Sequence, residues 1–251
     1  MNNRFSAGHS RPAGVTRHSL PASLLRSIAE RFDADGAVNA LMTATAGDMY
    51  LFGGAIRRTV LGDRLSGDLD IMVPNGDDRA FAALAALKVP ASLNSQGLRR
   101  YRWGSLQIDL FQPREFFGGF VDVESALRFF DLRINALAMH FGSQRILDPF
   151  DVLSQGLGLD PGINWPQWTS ISPVHTVKLA IRLAKTMHEV PTLTISAHDA
   201  RLLGKLVAPR LHECNWDDVQ DRFPPGKTAF LRKFEDNVLT RVRLATVWES
   251  K

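Results

Sequence analysis

The chain has 251 residues, 45% of them hydrophobic, with a formal net charge of +4 and a pI near 9.5. That apolar fraction supports a packed core and excludes a disordered chain, while the charge favours an anionic partner such as nucleic acid or nucleotide without excluding an ordinary basic protein. A single cysteine, Cys214, excludes an internal disulfide and points to a reducing compartment, and no apolar run approaches the ~20 residues that span a bilayer.

The stretch to about Leu20 holds Arg4, Arg11 and Arg17 and no acidic residue. It is expected to be a disordered basic leader over 1–20, with a mitochondrial transit peptide as the alternative to a cytoplasmic location. Pro21 opens a helix carrying Leu24, Leu25, Ile28 and Phe32 on one side, and Gly36 separates it from a second helix near Val38 to Thr45. Met49 to Phe52 is a short apolar run that ends in Gly53-Gly54, the pattern of a buried strand running into a turn. Two glycines there let a backbone approach a ligand with no Cβ in the way. Ala55 to Leu61 has helical spacing with Gly62 as its stop, and N–H groups at such a helix start would face a polyphosphate.

Asp68-Leu69-Asp70 leads into Ile71-Met72-Val73, a second apolar strand. Residues i and i+2 of a strand point to the same side, so Asp68 and Asp70 form a pair of like charges on one face. A divalent metal is the usual remedy for such a pair. Asp77 to Leu87 is alanine-rich and helical. Tyr101-Arg102-Trp103, Gly104-Ser105 and Leu106 to Phe111 read as a hairpin. In its second arm Asp109 shares a face with Gln107 and Phe111, either as a third carboxylate beside the Asp68 strand or as a surface residue of an edge strand. Arg99, Arg100 and Arg102 are a candidate RNA contact or a solvated hairpin.

Residues 123–139 read as a helix-like run, and Ile146 to Phe150 ends an element with Pro149 as breaker. The segment 156–173, rich in Gly, Pro and Trp, marks a boundary, with Trp165 and Trp168 as wall or core residues. Beyond Pro173 the chain reads as helical. Val174, Val177, Ile181 and Ala184 make an apolar stripe, and Lys178, Arg182 and Lys185 lie on another face, either toward a nucleotide or in solvent. Leu202, Leu203, Leu206 and Val207 supply a further helix, and Phe230, Phe234 and Val238 another.

Taken together, Gly53-Gly54-Ala55-Ile56-Arg57-Arg58-Thr59-Val60-Leu61-Gly62 followed by Asp68-Leu69-Asp70 resembles the glycine-pair and D-x-D segment of the bacterial poly(A) polymerase and CCA-adding nucleotidyltransferases. Asp131, Ile134, Asn135 and Ala136 match that family's ribose and triphosphate segment, and Asp148-Pro149-Phe150 matches a later one. The departures are equally specific. Arg58 stands where the family has Asp, Phe129 and Phe130 replace paired arginines, and Ile171-Ser172-Pro173-Val174-His175 lacks the carboxylates and arginine of the Glu-Asp-x-x-Arg base-reading motif. Arg128 or Arg133 is a candidate substitute for the missing arginines.

The resemblance implies an α+β fold, a polymerase β-like head with a mixed sheet and flanking helices over 21–155, followed by a small all-helical, neck-like part over 156–251. It implies a two-metal Mg²⁺ site on Asp68, Asp70 and Asp109, which would also be the catalytic residues. Nucleotide contacts are implied for Gly53, Gly54, Arg57, Asp131, Arg133 and Asn135, with Lys178 and Arg182 as basic candidates beyond the boundary. Asp148 is expected to order a turn. The implied activity is transfer of NMP from an NTP to an acceptor hydroxyl, an RNA (tRNA-like) 3′ end first of all. The alternatives are a small-molecule or protein acceptor, or a nucleotide- or RNA-binding module without chemistry.

Overall fold

In the computed structural model, residues 20–32, 35–60, 65, 67–94, 97–117, 122–155, 162–164, 182–183, 186, 196–202 and 205 are described. They fall into two compact units, the first drawn from 1–122 and 137–147, the second from 123–136 and 148–251. Gly62, Trp165, Trp168, Lys178, Lys185, Cys214, residues 1–19 of the basic leader, the stripe residues Val174, Val177, Ile181 and Ala184, and the helix around Phe230 to Val238 lie outside the described residues. No described helix is long and apolar enough to cross a membrane.

The first unit begins with α1 (Leu20–Phe32) and α2 (Asp35–Ala44); both helices are where the apolar spacing predicts them, but Gly36 lies in the first turn of α2 instead of separating it from α1. Leu24 and Ile28 of α1 and Leu41 of α2 are at most 2% exposed. The strands are β1 (Tyr50–Phe52), β2 (Asp68–Met72), β3 (Ala91–Leu93), β4 (Arg99–Trp103), β5 (Leu106–Phe111), β6 (Ala138–His140) and β7 (Ile146–Leu147). Between β1 and β2 lies α3 (Gly54–Val60), and between β2 and β3 lies α4 (Arg79–Ala86). The strands form one mixed sheet in the order β3-β4-β5-β2-β1-β6-β7. β2 and β5 run parallel, and the other described ladders are antiparallel. Leu69, Ile71, Ile108 and Leu110 are fully buried on the two central strands. Each such side chain is worth roughly 1.5–3 kcal/mol of burial.

The hairpin turns at Gly104-Ser105 and sets Trp103 opposite Leu106 and Arg100 opposite Asp109. β5 is thus an interior strand, paired with β4 on one side and β2 on the other.

The run 123–139 is not one helix. After the short α5 (Pro113–Phe117), it breaks into α6 (Val123–Arg128), a 3-10 turn at Arg133–Asn135 and strand β6. The reason is local competition for the backbone. Asn164 Nδ2 donates to the carbonyls of Arg128 and Phe130, and the Asp131 carboxylate accepts the Leu132 N–H, so these groups bond to side chains instead of to a helical ladder. Farther on, the second unit has α7 (Val152–Gln155) and α8 (Ala197–Leu202).

Leu69→Ala removes a fully buried side chain from the central strand. It is expected to cost about 2–5 kcal/mol, measured as a lower urea midpoint with an unchanged m-value; an unmoved midpoint would contradict the core position of β2.

Candidate active site

In the first unit the site starts with β1. Gly53 follows that strand at φ 62°, a left-handed conformation that suits glycine. Its N–H donates to Leu137 O at 3.0 Å, and its carbonyl accepts the Arg57 N–H at 3.1 Å. Gly53 therefore spends its backbone groups on the fold. Gly54 opens α3, and a Cβ built on it meets nothing within 4 Å, so a ligand can come close there. Arg57 is 6% exposed on the same helix.

The sheet register carries the acidic residues. Phe52 stands opposite Asp70, Asp70 beside Asp109, Asp109 opposite Arg100, and Arg100 opposite Ser92. Registered neighbours point to the same side of a sheet, so Asp68, Asp70 and Asp109 share one face. Asp68 and Asp70 are exposed, whereas Asp109 is 8% exposed. Gln107, beside Asp68, donates to its carboxylate at 2.8 Å. Asp109 is held differently. Arg100 Nε and Nη2 each donate to it at 2.7 Å, and Asn94 Nδ2 donates at 3.0 Å. Among the described residues no three of His, Cys, Asp and Glu stand grouped to hold a metal ion. The donor set that fits a hard divalent cation is the exposed pair Asp68 and Asp70.

The arginine cluster of the hairpin divides between the two faces. Arg99, in register with buried Leu110, stacks over the Phe81 ring at 4.2 Å. Arg100 and Arg102 lie on the carboxylate side, opposite Asp109 and Gln107. Asn94 was not visible as a site residue in the sequence. It also accepts the Leu98 N–H, which shapes the β3–β4 turn.

The second unit builds a separate cluster. Asp131 is 6% exposed, accepts the Leu132 N–H at 3.0 Å and pairs with Arg182 Nη1 at 2.7 Å. The Arg133 guanidinium lies 5.3 Å and that of Arg128 5.9 Å from the Phe150 ring centroid, within cation–π range. Arg133 N–H donates to Gly162 O at 2.7 Å. Gly162 has φ 58°, and a Cβ on it would fall 2.9 Å from the Arg133 side chain, so only glycine fits. Asn135 is buried. Asp148 caps α7 by accepting the N–H groups of Val152 and Leu153 at 2.9 Å, the turn role expected of it.

No protein-family model matches the sequence, and no curated protein matches it either. Solved structures do match. The Thermotoga maritima CCA-adding enzyme complexed with tRNA aligns at 18% identity and a TM-score of 0.56, over 90% of this chain and 54% of that one. A tRNA nucleotidyltransferase complexed with a primer tRNA and an incoming ATP analogue aligns at 16% identity and 0.52, over 84% and 61%. A CCA-adding enzyme with CTP aligns at 20% identity and 0.51, over 88% and 52%. The chain has the nucleotidyltransferase fold of the CCA-adding enzymes. It spans little more than half the length of those proteins.

Asn164 is the clamp of the second cluster. Asn164→Ala is expected to destabilise it by about 1–3 kcal/mol and to speed amide exchange at Leu132, Asn135 and Ala136 while Leu69 and Ile71 stay protected. Unchanged exchange at those three amides would contradict the clamp.

Proposed function

We propose that the chain is a nucleotidyltransferase that moves NMP from an NTP to an acceptor hydroxyl and releases pyrophosphate. The observation that carries this is the register of β2 and β5, which lines Asp68, Asp70 and Asp109 along one face of a nucleotidyltransferase-fold sheet, next to the strand that Gly53-Gly54 follow. In the reaction the acceptor oxygen attacks the α-phosphorus, its proton is lost to solvent, and the bond to the β-phosphate oxygen breaks. That oxygen keeps the electron pair and leaves as pyrophosphate.

Asp68 and Asp70 are proposed to hold Mg²⁺, which when bound neutralises the triphosphate charge. Gln107 fixes Asp68 for that task by its hydrogen bond. The open space over Gly54 admits the phosphates to the backbone, and Arg57 supplies positive charge from α3. Asp131, Arg133, Asn135 and Arg182 remain proposed nucleotide contacts of the second unit; Lys178 is proposed with them from the sequence alone.

The acceptor is proposed to be an RNA 3′ end, because relatives of this fold were solved with tRNA and with ATP or CTP and the chain carries net positive charge. A small-molecule or protein acceptor is the second reading. It is favoured by Ile171-Ser172-Pro173-Val174-His175 standing in place of the Glu-Asp-x-x-Arg base-reading motif.

Incubation with Mg²⁺, each labelled NTP and total RNA tests both readings. Label on RNA supports the first, label on protein or a small product supports the second, and no label anywhere refutes transfer. Asp70→Asn is expected to lower transfer on the order of 10²–10³-fold while the cooperative unfolding transition is retained. Retention of the parent rate would remove Asp70 from the centre.

A further inference from the structure

Arg100 and Asp109 face each other across the β4–β5 hairpin in direct register. The guanidinium meets the carboxylate with two bonds of 2.7 Å, and Asn94 adds a third N–H to the same group at 3.0 Å. Charge-assisted forked bonds of this kind fix both partners in orientation. The pair is largely sheltered, with side chains 28% and 11% exposed. The Asp109 hydrogen bonds, and then the charges of Asp109, Asp68 and Asp70, hold the Arg100 guanidinium above its ordinary range against the opposing effect of burial. A divalent ion on Asp109 would have to sit against this fixed positive charge. Arg100 has five N–H donors and spends two on Asp109, so it keeps donors that can meet a phosphate oxygen.

We propose that Arg100 is the resident cation of this site: it takes the position on Asp109 that a second divalent ion would need, so the chain binds one divalent cation, on Asp68 and Asp70. Asp109 is then a positioning residue, acting through Arg100. The inference rests on the nucleotidyl-transfer reading and departs from the two-metal arrangement that the resemblance implies.

Mn²⁺ bound to the full chain, counted by the loss of the free-ion EPR signal, tests it. The parent chain is expected to bind one ion. R100Q is expected to bind two, and R100Q combined with D109N one again. Two ions on the parent chain, or one on folded R100Q, would overturn the proposal. If R100Q does not fold, D109N alone decides: it is expected to keep the single ion, and loss of that ion overturns the assignment. Label transfer measured in parallel separates the levels. A chain that transfers label yet binds two ions refutes only the role of Arg100, whereas one that neither binds Mn²⁺ nor transfers label refutes both.

Discussion

The candidate site depends on one constraint, the parallel pairing of β2 with β5. Adjacent strands lie about 4.8 Å apart, so the register that sets Asp70 beside Asp109 also forces two like charges together. Such neighbours destabilise a sheet unless something compensates them. Asp70 is exposed, whereas Asp109 is buried. Its compensation is internal: the antiparallel pairing of β5 with β4 brings Arg100 to the same row. The carboxylate row is thus affordable to the fold because a second ladder delivers a cation to it.

Much of this was legible in the sequence, and for identifiable reasons. The i, i+2 spacing of Asp68 and Asp70 put them on one face as soon as β2 was recognised as a strand. The two-residue turn at Gly104-Ser105 fixes every pair in the hairpin, Arg100 with Asp109 included, so that ion pair was available from counting alone. Composition alone makes Arg99, Arg100 and Arg102 one basic cluster, but strand alternation sends Arg99 to the other face, toward Phe81. The parallel neighbour of β2 was not readable in this way, because the pairing of distant strands leaves no local mark. Only the resemblance pointed to it.

The segment 123–139 failed for a different reason. Its apolar residues permit a helix, but Asn164 removes two carbonyls from the ladder from more than thirty residues away. Gly162 and Asn164 sit in a stretch whose Gly and Pro content reads as a boundary, yet residues 162–164 bond directly to the Arg128–Arg133 region. Punctuating residues mark where a chain turns. They do not reveal what the turn holds in place.

Gly53 and Gly54 divide what the sequence treated as one function. A strand that stops at Phe52 needs a residue able to turn sharply while its N–H still reaches the neighbouring chain, and Gly53 does this with its bond to Leu137. A donor committed in that way is not available to a phosphate. Gly54, one residue later, has the open approach but serves as the first residue of α3. The first glycine is therefore demanded by the backbone, whereas the second stands before open space. A substitution at Gly53 meets backbone strain, whereas a Cβ at Gly54 meets nothing within 4 Å, even though the two are adjacent in the chain.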